Sequence, residues 1–267
     1  MQTILVLVDF SNASTNALSF AAELCKRASA RLIIMNILQK GEDEEEIKNK
    51  LKSIELGLKK SFDSGLNCET ALAHGNLITT LKKIIAVQQP DLIVMGTKGA
   101  SGLKKIFIGS NTVNVIANTK VPVFVIPEVA LFENFIKKGK NRIVLATDLD
   151  LLENENALGI LKEIALLMIE PKVRVLSVRP KNTSLPDMKR MERNFLLSFF
   201  NPEIESDRAT VFSSNVISGI NFYLNEKSTD TGLIAMIARD SDELIPKHYT
   251  REMASLTHLP LLVLHDS

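Results

Sequence analysis

Residues Asp91–Pro127 read DLIVMGTKGASGLKKIFIGSNTVNVIANTKVPVFVIP. Leu92 to Met95 is a short continuous apolar run, the pattern of a parallel strand covered on both faces. Gly96, Gly99 and Gly102 follow it, Gly109 and Ser110 stand where a helix begins, and Val121 to Ile126 is a second buried strand. The order is strand, glycine-rich loop, helix, strand. Such a loop turns several backbone N–H groups toward one anion, because glycine reaches positive φ and lets the backbone approach closely. The positive end of the following helix adds to that field. The pattern points to a phosphate site, and from there to a nucleotide.

Upstream, the same alternation recurs. Thr3 to Val8 is an apolar strand ended by Asp9, with the helix-start residues Ser11, Asn12 and Ser14 behind it. Ala17, Ala21, Leu24 and Ala28 form the apolar stripe of a helix. Arg31–Leu38 is a second strand. The acidic run Gly41–Glu46 opens a helix carrying Ile47, Leu51, Ile54 and Leu58, where acidic side chains favour the helix dipole. Asn67–Ala73 is a third strand, His74-Gly75-Asn76 a turn, and Leu77, Leu81, Ile84 and Ile85 mark a helix that Pro90 stops. This is an α/β pattern with a mostly parallel, Rossmann-like sheet and right-handed crossovers.

Downstream, the chain repeats itself. NRIVLATD at 141–148 repeats the sense of QTILVLVD at 2–9, so Asp148 falls where Asp9 was. GLIAM at 232–236 matches DLIVM at 91–95, and LPLLVL at 259–264 matches VPVFVI at 121–126. The offsets are 139 (Asp9 to Asp148), 141 (Asp91 to Gly232) and 138 (Pro122 to Pro260). Two domains are therefore expected, residues 1–128 and 141–267, with the segment Glu128 to Asn141 as their connection. The second copy has lost the loop: from Ile237 it reads IARDSDELIPKHYTREM, without glycine, and Lys247 and His248 stand in the places of Gly109 and Ser110. Met188, Met191, Phe195 and Leu196 are spaced as a packed helical stripe and are read as core.

The totals exclude several classes. A formal charge of +1 over 267 residues points to neither nucleic acid nor an anionic membrane. The lack of tryptophan, with only two tyrosines, argues against a base-stacking surface. No apolar run reaches the roughly 20 residues of a membrane span. Cys25 and Cys68 are far apart and form no CxxC pair, so free buried thiols in a reducing, cytoplasmic compartment are expected.

Gly96, two residues, Gly99, nine residues, Gly109-Ser110, after a strand and with Asp9 ending the first strand, resembles the ATP-binding type of the universal stress protein family in its tandem form. The likeness spans residues 1–127 and, more weakly, 141–265. It implies an ATP site, with AMP or ADP as related ligands and Mg²⁺ accompanying ATP. By that resemblance Asp9 lies near adenine and ribose, Ile37 is the adenine-contacting position, Met95 lines the site, and Gly96, Gly99, Gly109 and Ser110 cradle phosphate and ribose. Asp9 has a second reading, as a cap of the first helix with Ser11. The second domain keeps only Asp148 of the set. Losing three charged hydrogen bonds at roughly 1.5–3 kcal/mol each removes about 5–9 kcal/mol, and a micromolar site is worth about −8 kcal/mol. One nucleotide per chain is expected.

Dedicated catalysis has little to stand on. There is no G-x-x-x-x-G-K-[ST] loop, and no Ser/His/Asp or zinc-like spacing. A nucleotide-dependent sensor or regulator of the stress response, acting on an unidentified protein partner, is the first reading. A slow ATP hydrolase or phosphotransferase and an interaction module with an empty cleft are the alternatives. The final strands VPVFVIP and LPLLVLH are candidate edges. Through the resemblance they imply a pseudo-dimer within one chain, with homodimerisation of whole chains left open.

Overall fold

The computed structural model describes residues 1–63, 65–97, 110–136, 139–181, 183–226, 229–239 and 258–266. The chain divides into two compact units, Met1–Phe132 and Glu133–Ser267. Both are built from strands whose described pairings within each unit are all parallel.

Unit 1 contains β1 (Thr3–Leu7), α1 (Asn12–Ala28), β2 (Arg31–Leu38), α2 (Glu44–Ser61), β3 (Cys68–His74), α3 (Leu77–Gln88), β4 (Leu92–Thr97), α4 (Ser110–Asn118) and β5 (Val123–Pro127). The sheet order is β3-β2-β1-β4-β5. Strand order reverses between β1 and β4, so the C-terminal ends of β1, β2 and β4 border the crevice where open parallel sheets bind ligands. Local chemistry sets the helix starts. Ser11 caps α1 through Ser14, Asp43 caps α2 through Glu45 and Glu46, and Asn76 caps α3 through Ile78 and Thr79. The acidic first turn of α2 is Glu44 to Glu46. The four residues Ile4, Leu5, Val6 and Phe124 are fully buried, and Phe20 of α1 meets Phe124 and Phe132 edge-to-face at 6.5 and 5.2 Å.

A short helix, α5 (Phe132–Ile136), precedes β6 (Arg142–Ala146), α6 (Asn156–Leu166), β7 (Lys172–Arg179), α7 (Asp187–Phe200), β8 (Glu205–Phe212), α8 (Val216–Glu226), β9 (Thr231–Arg239) and β10 (Leu261–Asp266). Within unit 2 the order is β10-β9-β6-β7-β8. Register equates the two sheets. Leu7 pairs with Met35 and Met95 in unit 1, and Ala146 with Leu176 and Met236 in unit 2. Ile237 therefore takes the strand position of Gly96, and Ser177 that of Asn36.

One expectation is corrected. Met188 and Met191 of α7 are 62% and 69% exposed. The buried side of the helix is Glu192, Leu196 and Phe200. Two stripes share the same spacing in this sequence, and the inner one begins with a glutamate, which hid it.

Candidate functional site

Asp9, Ile37, Met95 and Gly96 line one cavity of about 340 Å³ in unit 1. Each comes from the C-terminal end of a strand: Asp9 follows β1, Ile37 lies in β2, and Met95 and Gly96 lie in β4. Asn36, Gln39 and Glu42 line the side next to β2, and Asn76 the side next to β3. Asn111 and Thr112, in the first turn of α4, close the far side. Ser110 begins α4 and is exposed, but is not among the lining residues. Gly99 and Gly109 lie outside the described residues.

The β1–α1 junction is built by short polar side chains. Phe10 takes a left-handed conformation (φ 61°), which turns the chain sharply after Asp9. Ser11 donates to Asp9 Oδ1 from its hydroxyl (2.6 Å) and its N–H (3.0 Å), and its Oγ accepts from Ser14 N (3.2 Å). Asp9 thus fixes the capping serine, as its second reading has it, and also lines the cavity. Burial pushes its carboxyl up, but hydrogen bonds from Ser11 and Ser14 outweigh that and hold it below the ordinary aspartate value. It stays ionised at neutral pH.

Gly96 has a packing role that spacing did not reveal. A Cβ there would lie 2.2 Å from the carbonyl oxygen of Ala13 and 2.7 Å from Ser14 N. The first turn of α1 rests directly on the β4 backbone, and only glycine permits this. Thr112 Oγ1 donates to Gly96 O at 3.4 Å, tying α4 to the same strand end. Asn36 Nδ2 donates to Val8 O at 2.8 Å, leaving the buried Oδ1 without a partner among the described residues. Gln39 Nε2 donates to Ile37 O at 2.9 Å, and Glu42 Oε2 accepts from Gln39 N at 2.7 Å.

The arrangement has two chemically different ends. Carboxylates, amides and backbone of β2 face the side near Asp9 and Ile37. The N-terminal turn of α4, whose N–H groups point along the helix dipole, faces the side near Gly96. Asn76, Asn111 and Thr112 escaped sequence reading. Asn76 was visible as a turn residue but not as a wall of the site, and the other two adjoin the predicted helix start at Ser110.

Unit 2 fills the corresponding place differently. Leu149 repeats the left-handed turn (φ 62°) after Asp148. Ile237 replaces the glycine, and α6 begins only at Asn156, whereas register equates Asn12, the first residue of α1, with Leu151. The intervening segment wraps around Arg239, which donates from Nη1 to Leu151 O (3.0 Å) and from Nη2 to Asp150 O (2.5 Å). Arg239 also faces Asp148 at 3.7 Å and Asp266 at 3.6 Å. Asp266 Oδ1 accepts from Glu153 N and Asn154 N at 2.8 and 3.0 Å. Burial pushes the Asp148 carboxyl above the usual value, the opposite of Asp9, although Arg239 pulls it down.

A parallel five-stranded α/β unit with a polar crevice at its strand ends is of the Rossmann-like class of folds. Within that class, residues 1–127 match the Universal stress protein family. The chain is 27% identical over 143 residues to universal stress protein YxiE of Bacillus subtilis, covering 46% of this chain and 97% of that protein. It is 35% identical over 82 residues to universal stress protein MJ0577 of Methanocaldococcus jannaschii, covering 31% of this chain and 49% of that one. Over the whole length, the fold is that of a universal stress protein from Archaeoglobus fulgidus, with a TM-score of 0.73, 17% identity and coverage of 99% and 98% of the two chains. No helix among the described residues is long and apolar enough to cross a membrane.

Proposed function

We propose that unit 1 binds an adenine nucleotide, ATP or its relatives AMP and ADP, and that occupancy regulates a protein partner in a stress response. The observation that carries this reading is the convergence of Asp9, Ile37, Met95 and Gly96 on one polar cavity next to the N-terminal turn of α4. Adenine and ribose would lie toward β1 and β2. Asp9 is there as an ionised acceptor for ribose hydroxyls, and Asn36 Oδ1 is a buried acceptor in need of a donor such as an exocyclic amine. Phosphates would lie toward Gly96, Asn111 and Thr112, against the positive end of α4. Gly99, Gly109 and Ser110 belong to this phosphate side by the family motif. Asp9 and Glu42 are the only carboxylates among the described lining residues, so Mg²⁺ would enter as the counter-ion of ATP.

Unit 2 is proposed to carry no nucleotide. Arg239 occupies Asp148, and Ile237 removes the close approach that Gly96 allows. Calorimetric titration of the full chain with ATP and AMP, with and without Mg²⁺, tests the proposal against Gly109→Lys and Asp9→Ala. Saturable binding that both variants weaken at least about tenfold, a loss of about 1.4 kcal/mol, supports it. Equal binding by wild type and both variants contradicts it.

A further inference from the structure

Unit 2 holds a second cavity, of about 410 Å³, at the same strand ends as the crevice of unit 1. Its walls have changed chemistry. Ala146 and Ser177 stand at the register positions of Leu7 and Asn36, and both are smaller. Leu176, Val178, Ile220 and Met236 supply apolar surface from β7, α8 and β9. The connection between β7 and α7 crosses the opening with Pro180, Leu185 and Pro186, where the equivalent connection in unit 1 offers Gln39 and Glu42.

Most polar groups at its rim are occupied within the protein; the Arg179 guanidinium bonds Thr183 O through Nη1 and lies over the Phe212 ring, while its buried Nε has no partner among the described residues. Thr147 Oγ1 accepts from Leu149 N at 3.0 Å, and Ser177 Oγ lies 3.2 Å from Thr210 Oγ1. Thr183 Oγ1 donates to Pro180 O at 2.8 Å. Lys189 Nζ donates to Asp148 O at 2.9 Å and pairs with Asp150 at 2.8 Å. Asp148 is engaged by Arg239. A phosphate or carboxylate entering here would need a cation partner, and with Lys189 and Arg239 already paired it would find only the buried Arg179 Nε without a partner among the described residues. An apolar molecule needs none, and gains the contacts that an unfilled space of this size forgoes.

We propose that this cavity is a binding site for an uncharged, largely apolar small molecule, so that the chain carries two ligand sites of different chemistry. The charge plug at Arg239 excludes the nucleotide, and the truncations at Ala146 and Ser177 make the room. This proposal is independent of nucleotide binding by unit 1.

The test is fluorescence titration of the full chain with the neutral probe N-phenyl-1-naphthylamine, in saturating ATP and without it. One saturable, blue-shifted site per chain is expected, with ATP leaving its affinity unchanged. Ala146→Phe, which fills the cavity, and Leu185→Asp, which puts a charge at its half-buried roof, should each weaken the probe by about tenfold or more. Should Ala146→Phe fail to fold by circular dichroism, Leu185→Asp decides alone, since it leaves the core untouched. Absence of saturable binding, displacement of the probe by ATP, or undiminished binding by the folded variants overturns the proposal.

Discussion

Gly96 and Ala13 touch backbone to backbone: a Cβ on Gly96 would stand 2.2 Å from the Ala13 carbonyl oxygen. That contact sets the first turn of α1 on β4 and places Asp9, Ser11 and Ser14 beside the strand end. In unit 2 the position is Ile237, and the chain from Asp148 to Glu155 bends around Arg239 before α6 can start.

Gly96→Ala should therefore destabilise unit 1 through overpacking against backbone that cannot yield, by roughly 1–3 kcal/mol. Gly57, in the middle of α2 with nothing near its missing Cβ, is the control. Gly57→Ala should stabilise by roughly 0.5–1 kcal/mol. Urea denaturation of both variants checks the opposite signs.

Ser11→Ala removes the cap of α1 and the donor to Asp9. A loss of roughly 0.5–2 kcal/mol is expected. It should depend on pH with a definite sign. The Asp9 carboxyl is held low in the folded state, so its contribution is present above the unfolded value, about 3.9, and disappears as pH falls through the lower folded value. The gap between wild type and Ser11→Ala should be widest near neutrality and narrow in acid. An NMR titration of Asp9 should show its pKa raised by the substitution.

Much of the fold could be read from residues, because apolar runs of strand length and residues such as Asp43 and Asn76 act locally. The repeat was readable for the same reason. What escaped depends on contacts between distant segments. Gly96 was visible as a glycine of a phosphate loop, but its neighbour Ala13 is 83 residues earlier, as 96 − 13 shows. Arg239 carried no signal in sequence, since its partners Asp148, Asp150 and Asp266 meet it only in the folded unit. Met188 and Met191 misled because α7 has two stripes of equal spacing, and the buried one contains Glu192.

Glu192 gives a third test. It is 4% exposed, and burial pushes its carboxyl above the usual glutamate value, with Arg239 opposing and Asp266 and Asp148 adding to the rise. A raised folded value means that folding is weakened as pH rises from the unfolded pKa, about 4.3, through the folded one. Glu192→Gln, neutral at every pH, should melt higher than wild type at pH 7, and the difference should vanish toward pH 4. Thermal melts across that range decide it, and a melting point below wild type at pH 7 contradicts it.

The two cysteines supply a fourth. Cys25 is 1% exposed and its thiol is pushed up to about 12 by burial, while burial also raises Cys68, which is 4% exposed. Both should resist alkylation in the native protein at pH 8 and react together once urea unfolds unit 1. Rapid labelling of either thiol without denaturant would show unit 1 opening locally.

By the proposed function a nucleotide enters unit 1 and not unit 2. Calorimetric stoichiometry of ATP with the intact chain measures it most directly. One ATP per chain is predicted, lost in Asp9→Ala and kept in Asp148→Ala. Two equivalent sites per chain, or a site lost with Asp148 and kept without Asp9, would contradict it.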